Sequence, residues 1–241
     1  MIIPAFNEES RVGRVIESIP KDVVDEILVV DVHCTDSTVD ESLRAGASVI
    51  RQSQRQGAGA AIKTGYREGL RRAGDILVVV AGDMQHDPAD IPKLLRPIQR
   101  GKVDYVLGDR LSSGPLAHGM PPIRYIGNLL LTCLTRLATR VDVKDSQCGF
   151  TAINRTTLEG IDMNRLSDSW GITNCLLAEC SRNHKSVAFV PVSTRYGARK
   201  SYIRLRTYIP CIVMILLGAF LRISRASHSL SETESNDAAE C

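Results

Sequence analysis

From Ile2 to Leu107, short apolar runs alternate with longer stretches in which apolar residues recur every three or four positions, the spacing of strands followed by amphipathic helices. Ile2 and Ile3 begin a strand that Pro4 interrupts, and Val12, Val15, Ile16 and Ile19 then fall on one helical face. Ile27 to Val30 predicts a second buried strand ending at Asp31. Ser37 and Asp40 predict a capping box for a helix carrying Val39 and Leu43. Val49 and Ile50 suggest a short third strand. Gly57 to Ala73 reads as a helix with Ile62, Tyr66 and Leu70 on one face, and a strand over Ile76 to Val80 follows directly. In Pro88 to Arg100 the residues Ile91, Leu94, Leu95 and Ile98 form an apolar stripe, and Tyr105 to Leu107 is a further strand. This alternation, with short connections, predicts an α/β fold: a doubly wound sheet of nucleotide-binding type flanked by helices.

Beyond Leu107 the pattern loosens. Leu111 to Pro122, rich in Gly, Ser and Pro, reads as a mobile loop before a long apolar helix from about Arg124 to Thr139. An irregular stretch around Asp145 to Phe150, a helix after Ile172 and a strand over Val187 to Val192 follow. Ile209 to Leu221 is apolar and flanked by Arg204, Arg206, Arg222 and Arg225. It is shorter than the roughly 17 to 25 residues a membrane span needs, and Pro210 and Gly218 weaken it as a helix. Two readings are open: a monotopic segment lying in the bilayer interface with arginines at the headgroups, which the flanks favour, or a core helix docked on the sheet. The polar, acidic tail from His228 to Cys241 is expected to be disordered.

The 241 residues, 44% hydrophobic and 24% charged, suffice for one large domain or one domain with an appendage, and exclude an intrinsically disordered chain. A net charge of +3 argues against general nucleic-acid affinity, although basic residues crowd the C-terminal third. Seven cysteines are scattered without a CxxC pair, in a chain that opens without a signal-peptide pattern. They read as reduced thiols of a cytosolic compartment, forming neither a zinc site nor a disulfide framework.

The chemistry concentrates where Val78 to Pro88 reads VVVAGDMQHDP, a buried strand that stops at a polar cluster. In open α/β sheets ligands bind beyond the carboxyl ends of the strands. Oxygens two positions apart, at Asp83 and Gln85, suit a hard divalent cation shared with phosphates and water. Asp87 reads as the cap of the next helix, with Pro88 at its first position, and His86 as a loop hydrogen-bonder. Gly57, Gly59 and Gly65 do not match the dinucleotide spacing. They fit equally a helix N-terminus approaching phosphates, with Lys63 one turn in, and a loop serving only chain reversal. Cys148 lacks a nucleophile's partner pattern and reads as buried.

Seven segments in order resemble the family 2 inverting glycosyltransferases of GT-A fold, in particular the polyprenyl-phosphate (dolichyl-phosphate) mannosyl- and glucosyltransferases. They are IIPAFNEE at Ile2 to Glu9, ILVVD with TDST at Ile27 to Thr38, GAGAAIKTG at Gly57 to Gly65, GDMQHDP at Gly82 to Pro88, DYVLGDR at Asp104 to Arg110, DSQCGF at Asp145 to Phe150, and RYGARKS at Arg195 to Ser201. The resemblance implies a GT-A, Rossmann-like, mixed but mostly parallel sheet over 1–203; composition and charge divide the rest into a basic and apolar membrane-interface segment over 204–226 and a disordered acidic tail over 227–241. It implies that Pro4, Phe6, Glu8 and Asp31 hold the nucleotide, with Lys63 near the phosphates. Asp83 and Gln85 would hold Mg2+ or Mn2+, Arg110, Arg124, Arg195 and Lys200 would meet an acceptor phosphate, and Asp145 would be the acidic group on the acceptor side. Ala81 and Val32 depart from the pattern, each standing where many relatives carry an aspartate.

The implied activity is transfer of a hexose from a GDP- or UDP-sugar to a polyprenyl phosphate at the cytoplasmic face of a membrane. The cation and nearby basic groups would stabilise charge on the departing diphosphate. An anionic lipid phosphate needs no strong base, so Asp145 would orient it. A saccharide hydroxyl would make Asp145 the base instead. The remaining rival is a nucleotide-sugar sensor that binds without turnover.

Overall fold

The computed structural model describes residues 1–54, 57–112, 114, 119–196, 213, 217 and 218. The expected segments 204–226 and 227–241 thus lie outside the described residues, apart from Val213, Leu217 and Gly218, as does Lys200. A seven-stranded sheet organises the chain. Its strands are β1 (Ile2–Ala5), β2 (Leu28–Asp31), β3 (Ser48–Arg51), β4 (Ile76–Val79), β5 (Tyr105–Asp109), β6 (Thr151–Asn154) and β7 (Val187–Pro191), in the order β3-β2-β1-β4-β6-β5-β7. Only β6 runs against its neighbours, pairing Ala152 with both Val78 and Val106. The remaining pairings are parallel.

Two apolar layers sandwich this sheet. Helix α1 (Val12–Glu17) and α4 (Ile91–Gln99) cover one face with Val12, Val15, Ile16, Ile91, Leu94 and Leu95. On the other face lie α3 (Ala58–Arg71), α6 (Arg155–Glu159) and α7 (Ile172–Arg182), through Ala61, Tyr66, Leu158, Ile172 and Leu176. Helix α2 (Thr38–Arg44) packs beside α1, and α5 (Pro122–Thr139) beside α7. Gly65 lets α3 settle on β1, because a Cβ there would strike the Ile2 side chain.

Three local expectations are revised. Pro4 does not interrupt β1: it pairs in register with Val30, and β1 and β4 are already parting at Ile2↔Val79. Alternation along the strand turns the Pro4 nitrogen toward β4, where no ladder bond is left to lose. The Ser37–Asp40 capping box does not form, since Ser37 makes no side-chain cap bond. Asp36 takes that place, its Oδ1 accepting the Thr38 N–H at 3.0 Å and the Thr38 hydroxyl at 2.5 Å. Strand β6 has no counterpart in the apolar pattern, for Thr, Ala, Ile and Asn make too short and mixed a run to signal a strand.

Candidate active site

Because β1 to β5 and β7 are parallel, their carboxyl ends share one edge, and the antiparallel β6 begins there too. That edge gathers Pro4, Phe6 and Glu8 after β1, Asp31 at the end of β2, Asp83 and Gln85 after β4, Arg110 after β5, Asp145 ahead of β6 and Arg195 after β7. A Cβ on Gly82 would lie 3.7 Å from Glu8 Cγ, so the first loop and the Asp83 loop touch.

The Asp83 loop is a tight turn. Asp83 Oδ1 accepts the Gln85 N–H at 3.0 Å across Met84, whose φ is +62°. Gln85 in turn accepts the Arg195 N–H at 2.9 Å, and His86 forms a bridge with Thr194. The late basic segment is therefore laced directly onto this loop. Asp87 caps the next turn as expected, accepting the Ala89 N–H at 3.0 Å with Pro88 in the first position. One carboxylate and one amide oxygen, on the half-buried Asp83 and Gln85, fit a hard cation that completes its shell from diphosphate and water. Among the described residues no group of three or more His, Cys, Asp or Glu could hold a metal without such help.

His86 is buried against the Phe150 ring, with centroids 5.3 Å apart, and its Nδ1 has no partner. Burial first, and the Arg110 charge second, push its pKa down to about 3, so it stays neutral. Its bridge to Thr194 ties the loop to the segment after β7, and its imidazole is not placed to titrate near neutral pH. Cys148 is buried beneath β5, and burial raises its thiol pKa to about 12, which suits an inert core thiol.

Arg110 and Asp145 find each other. The guanidinium grips the carboxylate with Nε to Oδ2 at 2.7 Å and Nη2 to Oδ1 at 2.9 Å. The Arg110 and Gln147 backbone N–H groups add bonds of 3.2 and 3.0 Å. Both side chains are buried, at 4% and 0% exposure. Burial opposes ionisation of Asp145, but Arg110 and the backbone donors outweigh it and hold its pKa below the usual carboxylate range. Of the cations expected at the acceptor, Arg110 is thus spent on Asp145. Arg195 is exposed, and Arg124 stacks over the Tyr196 ring at 5.2 Å.

Two other predicted residues are engaged within the protein. Asp31 is buried, pairs with Arg51 at 2.8 Å and accepts the Cys34 N–H at 2.7 Å, bracing the turn after β2. Lys63 is buried, pairs with Asp168 and donates to the Leu166 carbonyl at 3.2 Å. The Gly57–Gly59 turn serves that same segment. A Cβ on Gly59 would lie 2.8 Å from the Asp168 carbonyl carbon, and the Ala60 N–H donates to the Asp168 carbonyl at 3.1 Å. The α3 N-terminus is therefore closed by chain packing here.

Gln52 was not singled out by the sequence motifs. The parallel registers continue past the strand ends through Val32 N–H to Ala5 O and Gln52 N–H to Asp31 O, setting Phe6, Val32 and Gln52 in one row. The Gln52 side chain is buried with neither amide atom partnered. Its one signal in the sequence is a polar residue two positions after Ile50, on the face where the strand pattern calls for an apolar one.

Residues 1–161 match the family described as glycosyl transferase family 2. The chain belongs to glycosyl transferase family 2. Among the relatives of this family 2 glycosyltransferase is a UDP-N-acetylglucosamine–dolichyl-phosphate N-acetylglucosaminyltransferase of Methanococcus voltae. It is 28% identical, over 81% of this chain and 85% of that protein. A polyprenol monophosphomannose synthase of Mycolicibacterium smegmatis is 30% identical, over 80% and 76% of the two chains. The fold is similar to that of glucosyl-3-phosphoglycerate synthase from Mycobacterium tuberculosis solved with Mn2+, UDP and glucosyl-3-phosphoglycerate. There the TM-score is 0.70 at 24% identity, covering 90% of this chain and 78% of that one. A mixed, mostly parallel α/β sheet flanked by helices, the GT-A arrangement, is what the chain shares with that solved structure.

Proposed function

We propose that this glycosyltransferase moves a hexose, with inversion, from a GDP- or UDP-sugar to a polyprenyl phosphate at a membrane surface. The observation that carries this reading is the state of Asp145. Its oxygens accept four hydrogen bonds, and Arg110 lowers its proton affinity, so it is a poor base for a sugar hydroxyl. A phosphate monoester oxygen is already anionic near neutral pH and needs none. The names of the relatives that transfer sugars to dolichyl or polyprenyl phosphate support the same acceptor class.

On this reading Pro4, Phe6 and Glu8 border the nucleoside, and Asp83 and Gln85 hold Mg2+ or Mn2+ at the diphosphate. When bound, the cation supplies charge neutralisation for the leaving group. The acceptor oxygen attacks the anomeric carbon from the face opposite the nucleoside diphosphate. The bond to the β-phosphate oxygen breaks with its electron pair, and the configuration inverts. Arg195, held on the Asp83 loop through Gln85, is positioned to share the charge that develops there. Arg124, with Lys200 as a further candidate, meets the acceptor phosphate. Arg110 and Asp145 act as a buried brace that fixes the loops around both phosphates.

The test is direct. Purified protein is given UDP- and GDP-hexoses, Mn2+ and a short-chain polyprenyl phosphate, with Asp83→Ala alongside. The expected product is a sugar phosphodiester hydrolysed by mild acid, and the variant should lose at least about 100-fold in rate. An acid-stable glycoside would replace the acceptor assignment with a saccharide hydroxyl. Donor binding with no turnover on any donor would leave only a sensor.

A further inference from the structure

Trp170 is the chain's one tryptophan, and at 48% exposure it is also the one exposed aromatic ring among the described residues. Tryptophan is on average a largely buried residue. The backbone that carries this ring is nevertheless fixed from both sides. Ahead of it, the buried Lys63 pairs with Asp168 and donates to the Leu166 carbonyl at 3.2 Å, while the Ala60 N–H donates to the Asp168 carbonyl at 3.1 Å. Gly57 and Gly59 leave room for the same stretch, since a Cβ on either would strike the 167–169 backbone. The Ser169 N–H adds a bond to Ser167 Oγ at 3.1 Å. Behind the ring, Gly171 leads into α7, where the buried Asn174 accepts from Gln147 Nε2 at 3.3 Å. A segment braced by a buried lysine and two glycines that still leaves its largest ring in the open presents that ring, already ordered, to a ligand.

The place of Trp170 selects the ligand. Helix α3 packs on β1 and β2, and because it follows the parallel strand β3 its N-terminus stands at the carboxyl edge of the sheet. The 167–169 segment therefore crosses that edge on the side of β1 and β2, where Pro4, Phe6 and Glu8 lie. On the other flank Val79 pairs with Thr151, and Asp83 and Gln147 each stand four residues beyond that pair on the same edge. The Asp83 loop and the Asp145 to Gln147 loop thus leave the sheet side by side. Trp170 lies between the two flanks, with Asp168 bonded at α3 before it and Asn174 bonded to Gln147 after it. In a transfer from a nucleoside diphosphate to a second phosphate, the sugar occupies the ground between them. A pyranose offers a face of C–H groups on which a flat aromatic ring stacks, and its hydroxyls suit the amide of Gln147 and the hydroxyls of Ser167 and Ser169 nearby.

We propose that Trp170 is the stacking platform for the transferred hexose, meeting the sugar of the donor and not its nucleoside. The assignment rests on the hexose-transfer reading above and adds to it a residue that none of the seven motifs contains. A ring that meets only the sugar loses its partner when the hexose departs, so the nucleoside diphosphate product is held less tightly than the donor.

The emission of a single tryptophan reports on this site without a label. The full chain with Mn2+ is titrated with UDP, GDP and their hexoses, while calorimetry follows binding independently. We expect the accepted donor to quench or shift the emission saturably, and its nucleoside diphosphate to bind with the emission unchanged. Trp170→Ala should weaken donor binding about tenfold and leave the affinity for the nucleoside diphosphate within about twofold. Trp170→Phe should recover most of the loss. A donor that binds by calorimetry without altering the emission overturns the proposal. So does an equal optical change with the nucleoside diphosphate alone, which would make the ring a platform for the base. Equal loss of donor and diphosphate affinity in Trp170→Ala also overturns it, leaving Trp170 a support of its loop. A blue shift on lipid vesicles that added donor does not alter would give the ring to the lipid instead. If calorimetry finds no binding of any nucleotide or nucleotide sugar, the transfer reading itself has failed and the assignment falls with it.

Discussion

Arg110 and Asp145 form a buried, bidentate ion pair that ties the end of β5 to the loop entering β6. Removing one partner strands the other charge in a desolvated site. Asp145→Asn should therefore cost about 3 to 5 kcal/mol of folding stability. Joint replacement by Arg110→Met and Asp145→Leu should cost less than the single change. Urea unfolding of the three proteins checks the order, and a double variant weaker than Asp145→Asn would contradict it.

His86 gives an acid limb to stability. Its pKa is about 3 in the fold against 6.5 in the unfolded chain. Between those values the unfolded state binds a proton that the folded state refuses, so stability is full above pH about 6.5 and falls as pH drops toward 3. The slope from this group is about 1.4 kcal/mol per pH unit. Replacing the imidazole by His86→Phe removes that contribution. The difference in unfolding free energy between variant and wild type, followed from pH 7 to 4, should move in favour of the variant, and a constant difference would refute the account.

Gly59 is held small by the 167–169 segment crossing α3. Glycine to alanine usually stabilises a helix, yet here the new methyl would press on the Ser169 and Asp168 backbone. Gly59→Ala should lose about 1 to 3 kcal/mol, read as a lower urea midpoint. A gain would mean that the segment moves aside freely, reopening the helix N-terminus to a phosphate.

Gln52 should be improvable. A buried amide with neither atom partnered carries a desolvation penalty of about 1 to 3 kcal/mol. Gln52→Met keeps the volume and removes the penalty, so the thermal midpoint should rise. A fall would show that the amide is satisfied through ordered water.

Legibility differed from element to element. Pairs such as Ile27 to Val30 and Ile76 to Val80 were plain because parallel strands covered on both faces must be apolar throughout. The Asp83 loop was plain for the opposite reason, as polar residues broke abruptly from such a strand. Strand β6 was hidden by its mixed composition, and the Asp36 cap by two nearby residues of equal capping ability. Lys63 and Asp31 looked like ligand contacts because charges near a strand end have two uses. That they pair with Arg51 and Asp168, partners distant in sequence, only the tertiary structure shows.

The amino-acid order by itself determined the succession of strands and helices apart from β6 and α6, the strand edge at which the candidate residues gather, and the likeness of seven spaced motifs to one family. Each follows from short-range periodicity or from residue types at fixed spacing. Tertiary structure alone decided which charges are spent inside the protein, as with Arg110 on Asp145, and which face of α5 looks outward. Helical spacing shows that a stripe exists, but burial is a property of what packs against it. In α5 the threonines met α7 and the Asp145 loop, leaving the leucines to the surroundings.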